Sequence, residues 1–304
     1  MADLRVKIAG VEFRNPVITA SGTFGFGKEY SEFYPLSELG GISCKGLTLE
    51  ERPGNPPPRV AETPGGMLNS VGLQNPGSER FLAEDLPWLK AQGTVVIANI
   101  AGRSPEDYCA LAERLSDTAV DMIELNISCP NVKEGGVQFG TTCAGAESIT
   151  AEVRKHCKKP LMVKLSPNVA DIAEIAAAVE SAGADALSLI NTLTGMRIDI
   201  RTRRPILRNN TGGLSGPAVF PVAVRMVRQA YNRVKVPIVG MGGISKWQDA
   251  VEMMLAGAAA VQVGTASFTD PYAPVKIRDG LAAYLEENHM TPGELTGGMT
   301  EWTN

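Results

Sequence analysis

The residues that could do chemistry in this chain share one position, the polar step after a short apolar run. Ser21-Gly22 follow Thr19-Ala20, and Lys45-Gly46 follow Ile42-Ser43-Cys44. Asn99 closes a run that begins at Thr94, and Asn126 leads into Ser128-Cys129-Pro130-Asn131. Lys164 closes Leu161-Met162-Val163, and Asn191-Thr192 follow Ile190. Gly242-Gly243 and Gly264-Thr265 close the last two runs. Lysines at such ends could hold an anion at a fixed distance. Asparagine amides offer both donors and acceptors to a polar ring. Cys129 lies on a polar, proline-terminated loop, a setting unlike that of a buried, inert thiol. The turns at 240–245 and 263–267 let backbone approach closely at a helix start, which suits a phosphate dianion.

Other chemistries find less support. His156 precedes Cys157-Lys158-Lys159-Pro160 and a strand, and His289 falls near the C-terminus, so neither is placed to activate a nucleophile. No acidic cluster follows any apolar run, which argues against a metal site. The five cysteines, at 44, 109, 129, 143 and 157, form no C-x-x-C pair and suggest neither a disulfide framework nor an iron–sulfur site in this chain. They point to a reducing cytoplasm. No G-x-G-x-x-G follows a strand, so a Rossmann dinucleotide site is not expected here.

These positions need a scaffold that gathers strand ends. Eight candidate strands are expected at 16–20, 41–45, 94–99, 122–126, 161–164, 186–190, 237–240 and 260–264. Helical spacing falls at 79–91, 105–115, 170–182, 217–231, 246–255 and 272–285. Strand–helix alternation implies parallel pairing, and eight units predict a (β/α)8 TIM barrel whose C-terminal face carries the site. A doubly wound open sheet has the same periodicity. Leu4, Val6, Ile8, Val11 and Phe13 around Ala9-Gly10 predict a leading β-hairpin. Two long connections, 47–75 and 191–216, are expected over the site. The second holds Arg197, Arg201, Arg203, Arg204 and Arg208, read as a solvated cluster. The glycine-rich stretch 131–140 is expected to form a lid with Cys129 at its root.

The chain has 304 residues, 44% of them hydrophobic, enough for a single barrel domain over 1–304. Twenty-nine basic against 33 acidic residues leave a net charge of −4, which argues against nucleic-acid or membrane-surface partners. No apolar run reaches spanning length.

The ordered set of motifs resembles class 1 dihydroorotate dehydrogenases over essentially the whole chain. It rests on Asn15-Pro16-Val17, Ala20-Ser21-Gly22-Thr23-Phe24-Gly25 and Lys45-Gly46-Leu47-Thr48. It continues through Asn69-Ser70-Val71-Gly72-Leu73-Gln74-Asn75-Pro76-Gly77 and Asn126-Ile127-Ser128-Cys129-Pro130-Asn131-Val132-Lys133 to the two glycine turns. The resemblance implies an FMN across the barrel mouth. Ser21, Lys45, Gly46, Asn99, Asn126, Lys164, Ile190, Gly216, Gly242, Gly243, Gly264 and Thr265 match its flavin-contacting positions. Lys45, Asn69, Ser70, Val71, Gly72, Leu73, Asn126, Asn131, Asn191 and Thr192 match its substrate positions. Cys129 matches its catalytic base, and Lys164 would balance charge on the reduced ring. The implied reaction is oxidation of (S)-dihydroorotate to orotate in pyrimidine (UMP) biosynthesis, with a hydride passing to FMN.

Val132-Lys133-Glu134-Gly135-Gly136 and the run 22–30 resemble the class 1B, NAD-dependent type. That type implies a homodimer associated with a partner subunit carrying FAD and a 2Fe–2S cluster, together a heterotetramer. The alternatives are a fumarate-dependent class 1A enzyme, an FMN-free phosphosugar isomerase or aldolase using Lys164, and a non-catalytic barrel.

Overall fold

A computed structural model describes residues 3–127 and 139–302. Eight parallel strands close a barrel: Val17–Thr19, Gly41–Ser43, Val95–Ile100, Met122–Asn126, Leu161–Lys164, Ala186–Leu189, Ile238–Met241 and Ala260–Val263. They follow one another in chain order around the ring, the eighth pairing with the first. All eight fall within the runs expected from the sequence, give or take a residue, and the open-sheet alternative is excluded by closure.

The leading hairpin, Val6–Ile8 and Val11–Phe13, turns through Ala9 and Gly10, both at positive φ. It plugs the bottom of the barrel. Ile8 and Phe13 pack on Ile18, Ile97, Met122, Met162, Ala186, Val239 and Ala260, one inward residue from each of seven strands. The remaining strand offers Gly41, where a methyl would stand 3.0 Å from the Phe13 ring. Strand residues alternate in and out, so Ile123, Leu125, Leu161 and Val163 face the surrounding helices instead.

Five of the expected helical stretches form regular helices: Pro105–Ser116, Ile172–Ser181, Phe220–Tyr231, Trp247–Leu255 and Ala273–Glu287. Ser104 and Asp171 cap the first two, accepting from Asp107 and from Ala173 and Glu174. The sixth stretch is helical but not uniform: Ser78–Arg80 widens into a π turn at Phe81–Asp85 before Leu86–Ala91. Pro87, which lacks an N–H and crowds the preceding turn, accounts for the change. A helix at Cys143–His156, capped by Thr142, stands where the sequence reading places none. Its buried stripe is thin, with Ala146 and Thr150 beside Ile149 and Val153.

The two long connections are not irregular loops. Val60–Thr63, Gly66–Asn69, Gly212–Ser215 and Leu193–Gly195 form one antiparallel sheet, in which Leu68 pairs with Leu214. This sheet roofs the C-terminal end of the barrel. The arginine-bearing tip is a short hairpin, Ile198–Asp199 with Arg204–Pro205, and exposes Arg201, Arg203 and Arg204. No described helix is long and apolar enough to cross a membrane.

Candidate active site

Two residues above the apolar plug, about 7 Å along each strand, the barrel interior becomes polar. The inward positions there are Ser43, Asn99, Glu124, Lys164, Ser188 and Gln262, all buried. Glu124 is the centre of this layer. Its Oε2 accepts from Ser43 Oγ at 2.7 Å and Asn99 Nδ2 at 2.6 Å. Its Oε1 accepts from Ser188 Oγ at 2.7 Å and Gln262 Nε2 at 2.9 Å. Burial alone would raise the Glu124 pKa. The charge of Lys164 and the bonds from Ser188, Ser43 and Asn99 outweigh burial and hold the carboxyl below its usual range. Glu124 is therefore an anion saturated with donors, a poor proton acceptor.

Above this layer lies a cavity of about 230 Å³ under the roof sheet. Every expected flavin-contacting position lines it: Ser21, Lys45, Gly46, Asn99, Asn126, Lys164, Ile190, Gly216, Gly242, Gly243, Gly264 and Thr265. Asn69, Val71, Gly72, Leu73, Asn191 and Thr192 join them from the roof and the sixth strand end. Ser70 does not line the cavity. It is buried behind it, its N–H donating to the Arg59 carbonyl and its own carbonyl accepting from Asn55 Nδ2 at 2.8 Å. Alternation along the extended segment turns Ser70 away where Asn69 and Val71 turn in. Cys129 and Asn131, with most of the expected lid, lie outside the described residues.

Local chemistry fixes the amides. Asn191 Nδ2 donates to Asn126 Oδ1 at 3.2 Å, and the Asn126 carbonyl accepts from Tyr108 Oη at 2.9 Å. Asn69 Nδ2 donates to the Gly213 carbonyl at 3.4 Å, tying one roof strand to the next.

The glycine turns have little room for side chains. Gly242 and Gly243 have φ of +119° and +79°, and a methyl on Gly243 would stand 2.7 Å from Phe220 Cβ and 2.8 Å from the Gly216 carbonyl. Gly216, at φ +102°, would press on Gly66. Three cavity-lining glycines thus combine positive φ with close neighbours, backbone among them at Gly216 and Gly243 and side chains alone at Gly242. One expectation changes in detail. The N–H groups of Ser245 and Lys246 at the following helix start are taken by Asp249 Oδ2, at 2.9 Å and 3.1 Å. Those two N–H groups are therefore not available to an anion.

The described cavity lining contains no aspartate, glutamate, histidine or cysteine; its only ionisable groups are Lys45 and Lys164. Such a lining favours anionic ligands. Two buried acceptors beneath it, Asn99 Oδ1 and Gln262 Oε1, have no hydrogen-bond partner among the described residues. Orphaned acceptors, cationic groups and crowded glycine turns together fit a planar, N–H-bearing, phosphorylated ring such as a flavin nucleotide. His156 sits on an outer helix, with Glu113 at 3.8 Å. Its ligand atom lies within 4.8 Å of those of Cys109 and Glu152. None of these residues lines the cavity.

Sequence reasoning missed Glu124 and Gln262. Both were legible in principle: Met122, Glu124 and Asn126 alternate along one strand, as do Ala260, Gln262 and Gly264 along another.

Comparison with known proteins agrees with this geometry. The dihydroorotate dehydrogenase family model matches residues 3–285. A protein of Alkaliphilus oremlandii named the catalytic subunit of dihydroorotate dehydrogenase B (NAD(+)) is 57% identical over 285 residues, 94% of each chain. Similarly named proteins of Petrotoga mobilis and Geotalea uraniireducens are 52% and 56% identical over 299 residues. The first alignment covers 98% of this chain and 100% of its relative, the second 98% of each. With the match spanning the barrel, both glycine turns and the roof, this chain belongs to the dihydroorotate dehydrogenase family.

Proposed function

We propose that this chain is the FMN-binding catalytic subunit of an NAD-dependent dihydroorotate dehydrogenase, an oxidoreductase that converts (S)-dihydroorotate to orotate for UMP synthesis. The observation that carries the reading is the cavity itself: two lysines and a ring of amides with no described carboxylate, over a polar floor, beside two glycine turns. When bound, FMN supplies the hydride acceptor. Gly242, Gly243, Gly264 and Thr265 would hold its phosphate, and Ser21, Gly46, Asn99, Asn126, Ile190 and Gly216 its ring and chain. Lys164 would hold positive charge against the ring, an electrostatic role. Lys45 would pair with the substrate carboxylate, while Asn69, Asn126, Asn131, Asn191 and Thr192 read the pyrimidine edges. Ser70, Val71, Gly72 and Leu73 would shape the roof over it, Ser70 from behind.

Cys129 is the proposed base that removes the substrate proton. Glu124 is saturated with donors and lies below the cavity lining, and the lining itself supplies two lysines but no carboxylate, histidine or thiol among the described residues. Electrons would leave for NAD through a partner subunit carrying FAD and a 2Fe–2S cluster, in a cytoplasmic heterotetramer built around a homodimer of this single-domain chain. The names of the relatives favour the NAD-dependent type over the fumarate-dependent one.

The test is direct. Purified protein should be yellow and should bleach anaerobically with dihydroorotate. NADH should form only with the partner subunit present. Cys129→Ala should abolish turnover with flavin retained, and Cys129→Ser should keep weak activity at high pH. A protein that stays colourless when FMN is added overturns the reading.

A further inference from the structure

Glu124 accepts four hydrogen bonds from four other strands, two of them from amides. An ionised carboxylate only accepts, so it dictates which end of each amide faces it. Were the Asn99 amide reversed, an oxygen would face an oxygen at 2.6 Å; for Gln262 the distance would be 2.9 Å. The carbonyl oxygens must therefore turn away, and both are buried without a partner among the described residues. A methyl at Gly46 would stand 3.0 Å from Asn99 Oδ1, which puts that acceptor beside the turn at the cavity rim. Asn99 and Gln262 both line the cavity; Glu124 does not.

We propose that Glu124 is the positioning residue of the site: it locks the amides of Asn99 and Gln262 in one orientation within the floor beneath the ring. Its charge also offsets that of Lys164 beneath the ring. The inference rests on the flavin reading and adds the device that orients the ring-reading amides. It assigns a role to a residue that never touches the ligand.

The test compares deflavinated wild type, Glu124→Gln, Glu124→Asp and Ser188→Ala. FMN affinity is read by fluorescence quenching, and the midpoint potential of the bound flavin by spectroelectrochemistry. In Glu124→Gln the new amide can serve either orientation of its neighbours, so FMN should bind at least about tenfold more weakly. With the buried negative charge gone, the bound flavin should become easier to reduce, a positive shift in potential. Glu124→Asp, which keeps the charge, should recover part of both. Ser188→Ala, which keeps charge and amides, should bind FMN within about threefold of wild type, a small fraction of the tenfold effect. A merely structural glutamate would lower thermal stability without moving the potential. Wild-type affinity and an unmoved potential in Glu124→Gln would overturn the proposal. Should that variant fail to fold, Asn99→Asp combined with Glu124→Gln restores one anion within the same bonded pair and keeps an acceptor at 99. Recovered FMN binding then supports the proposal, and its absence overturns it. Wild type that takes up no FMN would instead bring down the flavin reading, a failure visible before any substitution is made.

Discussion

Two layers of the barrel interior, one strand alternation apart, solve opposite problems. The lower joins Ile8 and Phe13 to seven apolar strand residues and contains no side-chain hydrogen-bonding group. The upper places a carboxylate, two amides, two hydroxyls and a lysine on six strands, five of them shared with the lower layer. Burying an ion pair costs several kcal/mol per charge unless further hydrogen bonds satisfy it. Here four donors meet Glu124 and five strands share the cost. The apolar plug closes the barrel beneath the polar layer, whose carboxylate is ordered by protein donors. The difference teaches that one layer carries cohesion and the next carries orientation, with five of the eight strands serving both.

The comparison can be broken from either side. Phe13→Ala should cost about 3–5 kcal/mol of stability, read from urea melts, with FMN affinity of the folded fraction unchanged. A matching loss of affinity would mean the layers are not separable. In the upper layer, Ser188→Ala removes one donor to a charged acceptor and should cost about 1.5–3 kcal/mol in the same melts. Gly243→Ala should weaken FMN about tenfold, or about 1.4 kcal/mol, because its methyl would meet Phe220 and the Gly216 carbonyl. Fluorescence titration checks this, and a wild-type value would place the phosphate elsewhere.

The smallest effect at neutral pH is the acid response. Glu124 has a depressed folded pKa, so its contribution is complete above the ordinary glutamate value of 4.5 and is lost as pH falls through the lower folded value. The stability gap between wild type and Glu124→Gln should stay constant from pH 7 down to about 4.5 and narrow as the pH falls further. A gap that widened in acid would mean the carboxyl is protonated in the native protein.

The sequence made the barrel legible because each strand is a short apolar run ending in a distinctive polar residue, and each end enters the same mouth. The cavity-lining residues were legible for the same reason. Glu124 was hidden because it sits inside such a run, where position along the strand decides whether a side chain meets helices or the barrel axis. The roof sheet was hidden because its pairing joins residues far apart in the chain, such as Met67 and Ser215. No local periodicity reports that register. The helix at Cys143–His156 escaped because Ala146 and Thr150 carry much of its buried face, a weak apolar signal.

The roof has one more consequence. Its strands spring from the connections after the second and sixth barrel strands, which stand diametrically opposite in the ring. A bridge anchored at opposite points of a rim braces it against ovalisation above the one cavity it covers. Beneath it, the glycine turns of the seventh and eighth strands and the groups Asn99, Asn126 and Lys164 line opposite walls of that cavity. A ligand spanning the mouth would meet both walls at once under a roof tied down at either end.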